Sequence, residues 1–423
     1  MQSRKSVEDL LSDFEELFAT ARSGSSAFSK NIEGVRGFGT KNGMLNLNLK
    51  AHESLKKIVD ELQKTELGNS FSRTFIKKRV DSTLAEIVAA RSDQLKAVIS
   101  KQVRDLVDSL SKTAVEEYAI TVPVSGVTVW PHSRVFKVGR CSIYSLANFK
   151  EARWLGMIQN GISELLKSKS KPPGGSEHWI KTIVRSAPED SEKREEIANE
   201  QIHESLAVLM LYSILERNAK IFWAKLPIIQ VGERKTSFYN AYVIETEKPF
   251  WAGEHVASSA LPELVLNDKT MDSFCKFNFD KLDNLLSHTA TTEVEKAICR
   301  SLPVMYSSLS SPELAWKYIG LVTALEMLLT SRKERTIKRN ISERLAWLLG
   351  ETPEDRRIIM KQMEGIYSSR SDIIHEAEKT ESLTAEVLQL HSYILELIAR
   401  LLDGDFKQTS EIRDWVRSKQ LGF

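Results

Sequence analysis

The chain has 423 residues, of which 42% are hydrophobic and 27% charged, and its formal net charge at pH 7 is +2. This length allows two or three domains with sizeable cores, and the small net charge excludes a polycation, so any contact with nucleic acid depends on a local basic patch. The three cysteines, Cys141, Cys275 and Cys299, are odd in number and far apart, which argues against a disulfide framework and favours a reducing compartment.

The sequence shows no sign of a membrane segment. Its longest apolar run, residues 206–215, is about half as long as a membrane-spanning helix requires. The N-terminus carries charged side chains rather than the apolar core of a signal peptide. We therefore expect a cytoplasmic protein without membrane contacts. No metal-ligand spacing or reliable cofactor motif is visible, so we also expect neither a metal nor a cofactor.

Residues 1–115 are predicted to form an N-terminal helical region. Apolar side chains at helical spacing predict helices over about residues 6–23 and 55–62. Between them, the Gly-, Ser- and Asn-rich residues 23–43 are predicted to be a loop. The long periodic pattern over residues 74–110 is typical of a coiled coil or a long helical hairpin.

Residues 116–276 are predicted to be an α+β regulatory or sensor region. From Tyr118 the apolar period changes to two, which predicts a small antiparallel sheet. Its strands are expected at 118–124, 127–129, 135–143 and 238–246. Helices are predicted over about 149–166 and 191–220.

Residues 277–423 are predicted to be a helical bundle with short connections. Pro312 and Pro353 stand where the first turn of a helix accepts proline, and Gly350 and Gly404 stand where helices end. The fold class is therefore mainly α, with some α+β character. The predicted helices of this region are 279–288, 294–302, 312–329, 341–349, 353 to at least 369, and 383–402.

One helix of this bundle carries an unusual arginine. Apolar residues recur every three to four positions over residues 363–379, and Arg370 lies in the middle of that stripe. A guanidinium among buried positions is costly unless it is paired or faces a water-filled site. His375 follows five residues later, about 140° around a regular helix, so the two side chains cannot lie side by side on one face.

Arg370 and His375, in RSDIIH, match the Arg-x4-6-His signature of HEPN domains. The phrases YIGLVTALEMLLT, ISERLAWLLG and IYSSRSDIIHEAEK, in this order, resemble the Apea-like branch of that family over about residues 309–402. The resemblance implies an all-α domain that acts as a metal-independent endoribonuclease and as a homodimer. It also implies a part in bacterial defence against phage, or a toxin-like response, set off by a phage-derived or partner-protein trigger.

The residue types suit RNA cleavage. Histidine transfers protons near neutral pH, and the planar guanidinium of arginine binds two phosphate oxygens at once. Glu326 resembles the acidic residue of related HEPN proteins, and we expect it to pair with Arg370 and orient it. Ser371 and Asp372, which follow the arginine inside the motif, complete the predicted catalytic set.

A basic run precedes the motif and is a candidate for RNA binding. Such a cluster can hold phosphates, with affinity that falls as salt rises, although charge runs are usually solvated faces. Its place between two helices of the predicted bundle favours RNA contact. The residues are Arg332, Lys333, Arg335, Lys338 and Arg339.

The sequence leaves a second interpretation open. Without the family resemblance, a buried ion-paired arginine and an ordinary helix histidine would explain Arg370 and His375 more simply. Moreover, the position after the arginine is often Asn, Asp or His in active members, whereas here it is Ser371. The alternative is a non-catalytic HEPN protein that dimerises and binds RNA or a partner without cutting.

Overall fold

The structure is a computed structural model, mainly helical with a small sheet that is antiparallel for the most part. It divides into two compact units. The first unit comprises Met1–Tyr118 with Val184–Ile197, and the second comprises Ala119–Ile183 with Ala198–Phe423. The predicted three-region division stays a prediction. The residues that the structure describes are 12–15, 36–40, 43–47, 49–65, 68–89, 95–132, 134–145, 178–216, 230–231, 242–245, 250–252, 264–311, 313–330, 337–376 and 383–422.

The first unit is a helical cluster with one hairpin. Apolar faces of its three long helices form a shared core that includes Ile58, Ile76 and Val103. Its elements are β1 (Arg36–Thr40), β2 (Gly43–Leu47), α1 (Leu49–Gln63), a 3₁₀ turn (Gly68–Ser70), α2 (Arg73–Ala89) and α3 (Leu95–Lys112). The periodic run over 74–110 is thus two helices that pack together, which agrees with the predicted long helical hairpin.

Two expectations for the N-terminal region need comment. The predicted loop over 23–43 is wrong at residues 36–40, which pair as β1 with β2 in antiparallel register. The glycines of this strand leave no alternation of apolar and polar side chains, which is the signal that predicts a strand. Backbone pairing does not require that alternation, so the strand forms without it. Of the first predicted helix, residues 12–15 are helical, and the rest of it lies outside the described residues.

The second unit contains the sheet, whose strand order is β10-β9-β3-β7-β6-β5, with β8 also paired to β3. A separate pair, β4 and β11, is parallel. The predicted strands at 118–124, 127–129 and 135–143 correspond to β3, β4 and the hairpin of β5 and β6. The strands are β3 (Glu116–Ser125), β4 (Val127–Val129), β5 (Val135–Val138), β6 (Cys141–Ser145), β7 (His178–Ser186), β8 (Gln230–Val231), β9 (Tyr242–Glu245), β10 (Phe250–Ala252) and β11 (Leu264–Leu266).

Strand β7 was not predicted, although it lies inside the sheet. Its buried face includes the polar Thr182, whose hydroxyl donates to Gln201 Oε1, and its open face carries the exposed Ile183. Because a polar residue is buried and an apolar one is exposed, the sequence of this strand does not show the apolar–polar alternation that predicts a strand. The predicted helix over 149–166 lies outside the described residues. The predicted helix over 191–220 is α4 (Ser191–Tyr212), followed by a 3₁₀ turn (Ser213–Glu216).

The C-terminal helices follow the sequence prediction, except that the helix predicted over 294–302 continues to Ser310 with Pro303 inside it. Pro353 begins α10, Gly350 follows the end of α9, and Gly404 follows the end of α11, as expected. Helices α5 and α12 were not predicted. The helices are α5 (Asp268–Cys275), α6 (Phe279–Ser287), α7 (Glu293–Ser310), α8 (Leu314–Leu329), α9 (Ile337–Leu349), α10 (Pro353–Glu376), α11 (Leu383–Asp403) and α12 (Thr409–Gln420).

Helix α8 lies at the centre of these helices and packs against α7, α9, α10, α11 and α12. Its close contact with α7 depends on Gly320, since a Cβ there would lie 1.6 Å from Ser308 Oγ. The Ser308 hydroxyl in turn donates to Val304 O at 2.6 Å. Within the described ranges, none of the helices is long and apolar enough to cross a bilayer.

We expect Gly320→Ala to lower the free energy of unfolding by about 1–3 kcal/mol, because the added methyl group overpacks the contact with α7. Gly365→Ala is the matched control. A Cβ at this exposed helical position meets nothing within 4 Å, so the substitution should raise stability by about 0.5–1 kcal/mol. Urea denaturation of both variants measures this, and shifts in the same direction would contradict the packing described for α8.

Candidate active site

Two of the predicted catalytic residues, Glu326 and Arg370, lie where α10 packs against α8. The fully buried Tyr318 of α8 donates its hydroxyl hydrogen bond to Ile366 O of α10 at 2.6 Å. Ile366 precedes Arg370 by one helical turn, so this bond fixes the backbone immediately before the arginine. Burial, followed by a hydrogen bond and charge from Glu386, raises the pKa of Tyr318. The phenol therefore remains a donor at neutral pH.

Glu326 connects the two helices through both of its carboxylate oxygens. Tyr367 Oη donates to Glu326 Oε1 at 3.2 Å, and Arg370 Nη2 lies 3.8 Å from Glu326 Oε2. Burial and the neighbouring Glu326 raise the pKa of Tyr367, so its phenol stays protonated and keeps donating. The structure thus brings together Glu326 and Arg370, and adds a tyrosine that the sequence assigned only to an apolar stripe.

The Arg370 guanidinium is loosely held. Its ion pair to Glu326 is longer than a hydrogen bond, and its buried Nε has no hydrogen-bond partner among the described residues. The side chain is 32% exposed, against 18% for Glu326. The buried Nε is closed to an incoming anion, but the exposed part of the guanidinium keeps donor groups for one, and the long ion pair to Glu326 orients it without holding it rigidly.

A second polar link attaches α10 to α11. Ser369 Oγ donates to Glu386 Oε1 at 3.2 Å, one residue before Arg370. Neither residue was selected from the sequence, because a serine and a glutamate on separate helices carry no motif. Together with Tyr318 and Tyr367 they make the setting of Arg370 a network of side chains from three helices.

The remaining motif residues lie toward the end of α10. Ser371 is exposed and Asp372 half-buried, and the charge of Asp372 contributes to the raised pKa of Tyr318. The backbone of His375 belongs to α10, which ends at Glu376. The side chain of His375 lies outside the described part of the structure.

The predicted RNA-binding run is described only in part. Lys338 and Arg339 lie in the first turn of α9, where Arg339 Nε forms an exposed ion pair with Glu343 Oε1 at 2.7 Å. Arg332, Lys333 and Arg335 fall in residues 331–336, outside the described residues.

The structure adds basic residues that sequence spacing did not reveal. Arg344 of α9, with Arg413 and Arg417 of α12, lines a groove of about 370 Å³ that also includes Glu343. The sequence distance between α9 and α12 conceals this surface, because packing alone brings the two helices together. Lys338 and Arg339 of α9 and the arginines of this groove are together called the basic surface of α9 and α12. Arg339 and Arg413 are ion-paired on it, with Glu343 and Asp414.

Within the described ranges, no three His, Cys, Asp or Glu side chains are grouped so as to hold a metal ion. All three cysteines are free: Cys141 is buried, Cys299 is half-buried and Cys275 is exposed. Burial raises the pKa of the Cys141 thiol to about 11, so this cysteine stays protonated at neutral pH.

Comparisons with protein-family models, curated proteins and solved structures found no match to this chain.

The raised pKa of Tyr367 predicts a specific dependence of stability on pH. An unfolded tyrosine titrates near pH 10, whereas folded Tyr367 holds its proton to higher pH. Its contribution to stability is therefore fully present below about pH 10 and is lost as the pH rises through the raised pKa.

We expect Tyr367→Phe, which has no phenol at this position, to lose less stability than the unmodified protein between about pH 9 and pH 11. Urea unfolding at several pH values in this range measures the difference. The other tyrosines with raised pKa values titrate in both proteins, and their contributions cancel; they are Tyr118, Tyr212, Tyr318 and Tyr393. Parallel curves for the two proteins would show that Tyr367 is not held protonated by the fold.

Proposed function

We propose that this protein is a metal-independent endoribonuclease, with its C-terminal helices arranged as a HEPN domain. The observation that carries the proposal is the state of Arg370. This arginine is a third exposed, is positioned by Glu326 and Tyr367, and has a buried Nε without a hydrogen-bond partner among the described residues. An arginine with a purely structural role would be expected to have its donors satisfied.

In the proposed reaction Arg370 binds the scissile phosphate. Its planar fork contacts two phosphate oxygens and stabilises the negative charge that develops on the pentavalent phosphorus. Glu326 acts on the guanidinium rather than on the RNA, and it is therefore a positioning residue. Its 3.8 Å separation from Arg370 leaves the guanidinium free to move toward the phosphate without breaking a short hydrogen bond.

His375 transfers protons in this proposal. The 2′-hydroxyl of a ribose loses its proton to a base and attacks the adjacent phosphorus, and the bond from phosphorus to the 5′-oxygen breaks. An acid gives a proton to that oxygen, so the products are a 2′,3′-cyclic phosphate and a 5′-hydroxyl. Histidine suits both proton transfers because its ordinary pKa lies near neutral pH.

A homodimer through residues 318–402 supplies the complete site. Arg370 and His375 diverge by about 140° on a regular helix, so two copies of α10 about a two-fold axis bring an arginine of one copy to a histidine of the other. Ile374, which precedes His375, is 50% exposed. An exposed isoleucine beside the motif is consistent with a partner surface there.

RNA reaches the site along the basic surface of α9 and α12. The side chains of this surface bind phosphates without contacting base edges; they are Lys338, Arg339, Arg413 and Arg417. Arg332, Lys333 and Arg335 contribute further positive charge. We place this activity in bacterial defence against phage or a related toxin-like response in the cytoplasm, with residues 116–276 responding to a phage-derived or partner-protein trigger. That role rests on the family resemblance alone.

The second candidate function is a HEPN dimer that binds RNA or a partner without cutting it. Ser371 favours this candidate, because its exposed hydroxyl replaces the more strongly polar residue common after the arginine in active members. Both candidates use the same basic surface. They differ in whether the phosphodiester bond breaks.

Incubation of the purified protein with total RNA in excess EDTA tests the proposal. Since Arg370 and His375 supply the charge and the proton transfers, we expect cleavage to continue with the chelator present. The products should carry 2′,3′-cyclic phosphate ends, and DNA should remain intact because it lacks the attacking hydroxyl. Activity that disappears with EDTA and returns with magnesium or manganese would overturn the mechanism.

Substitutions should separate catalysis from binding. His375→Ala should lower the cleavage rate by roughly 10² to 10⁴-fold with little change in RNA affinity, and Arg370→Ala should cost at least as much. Exchanging Lys338 and Arg339 for glutamate should instead weaken RNA binding and flatten its salt dependence. The matched controls are His288→Ala and Arg357→Ala, both exposed residues whose hydrogen bonds, to Asn284 O and Glu354, do not involve the Arg370 network.

Mixing the two inactive variants tests whether the site is shared. A heterodimer of Arg370→Ala with His375→Ala contains one intact pair, formed by the arginine of one copy and the histidine of the other. Activity should therefore return on mixing if the site spans two copies. No recovery, despite subunit exchange shown by native mass spectrometry, would place both residues in a site within one copy. A folded, dimeric His375→Ala variant with full activity would instead favour the non-catalytic candidate.

A further inference from the structure

A cleft of about 580 Å³ lies where the ends of α5, α9 and α11 meet α12 and the start of α10. Trp347, in the last turn of α9, and Trp415 of α12 both line it, and both are half-buried. The volume falls within the range of small-molecule sites, roughly 300–1,000 Å³. The cleft therefore has room for a compact ligand with a flat aromatic part.

Contacts within the protein hold the side of the cleft that contains Trp347. Arg356 lies over the indole, with its guanidinium carbon 4.0 Å from the ring centroid. Its Nε donates to Gly350 O and its Nη2 to Glu351 O, each at 3.0 Å. Gly350 permits this approach, because a Cβ there would come within 2.7 Å of Arg356 Cγ. A preformed wall lowers the entropic cost of binding.

The cleft lining contains four cationic side chains, Arg356 among them, and three carboxylates. Lys276, Arg400 and Lys419 are exposed on its lining, and within the described part of the chain none of the three forms an ion pair. Its carboxylates are Glu351, Glu396 and Asp403. Asp403 is paired with Lys281, which lies 2.6 Å away outside the lining. Hydrogen bonds from Lys281 and Asn278, with the charges of Lys281 and Arg400, lower the pKa of this carboxyl.

We propose that this cleft binds a nucleotide, with the base against the tryptophans and the phosphate at Lys276, Arg400 and Lys419. Indole rings stack with every base, and exposed ammonium and guanidinium groups bind phosphate oxygens. The nucleotide is either free in solution or part of an RNA strand, since both present the same chemistry.

The nucleotide cleft is separate from the Arg370 site. Arg356 and Arg370 are fourteen residues apart on α10, which corresponds to about 21 Å of regular helix. The inference therefore does not depend on RNA cleavage, and the two can fail independently.

Isothermal titration of the full chain tests the inference, with adenosine monophosphate as one probe and a short oligoadenylate as the other. The titration uses the Arg370→Ala variant so that RNA stays intact. Saturable binding of the monophosphate would identify a free nucleotide as the ligand. Because the proposed basic surface of α9 and α12 also binds RNA, binding of the oligoadenylate alone would identify an RNA strand in the cleft only if the cleft substitutions below weaken it.

Substitutions in the cleft should weaken that binding. Exchanging both Arg400 and Lys419 for glutamate, or Trp415 for leucine, should lower the affinity about tenfold or more. Lys361→Glu, an exposed change on α10 outside the cleft, is the matched control and should bind as before. The charge changes leave the interior intact, so they remain informative if Trp415→Leu unfolds.

Two results would overturn the inference: no saturable binding of either probe, or equal affinity in the charge variant and the control. If the protein binds nucleotide but cleaves no RNA, the nucleotide cleft is supported and the proposed nuclease function is contradicted. If it cleaves RNA but binds no nucleotide in the cleft, the nuclease function is supported and the nucleotide cleft is contradicted.

Discussion

The apolar character of α8 is the constraint on which the C-terminal helices depend. A helix that is hydrophobic on nearly all sides must be surrounded, and α8 is in contact with α7, α9, α10, α11 and α12. Tyr318, Leu321, Val322 and Leu325 are completely buried on it. Its few polar groups then have to find partners on the neighbouring helices, because water does not reach them freely.

Glu326 is the group for which this constraint matters most. It is the carboxylate of α8, only 18% exposed, and its partners come from α10 as Tyr367 and Arg370. The packing of α8 thus determines where the arginine lies, and the arginine is more accessible than the carboxylate that orients it. A buried positioning group behind an accessible cation is an arrangement suited to binding an anion.

The sequence predicted the C-terminal helices well because their boundaries are marked by local chemistry. Pro353, Gly350 and Gly404 act through backbone geometry within a few residues of each helix end. The residues around Arg370 could be predicted from the sequence only in part. Glu326 was selected through the family resemblance, and Tyr367 was assigned to the apolar stripe of the helix. Ser369, Glu386 and the α12 arginines depend on contacts between distant helices, which periodicity does not encode. Strand β7 was not predicted because the polar Thr182 is buried and the apolar Ile183 is exposed, which is the opposite of the usual pattern.

The arginines within the described residues differ in how their guanidinium groups are held. Arg194 is buried, lies over the Tyr118 ring and donates to Ser186 Oγ and Pro188 O. Arg356 is half-buried, lies over Trp347 and donates to the carbonyls that end α9. Both guanidinium groups stack on an aromatic ring and donate hydrogen bonds to neutral oxygens. These contacts satisfy the donors of an arginine that has a structural role.

Arg370 lacks both features. It has no ring contact among the described residues, its carboxylate partner is 3.8 Å away, and its buried Nε is unpaired within the same part of the chain. Leaving a buried donor without a partner costs roughly 1–3 kcal/mol. The fold tolerates that cost at an arginine that is still a third exposed, so an anionic ligand at Arg370 would gain charge-assisted hydrogen bonds there.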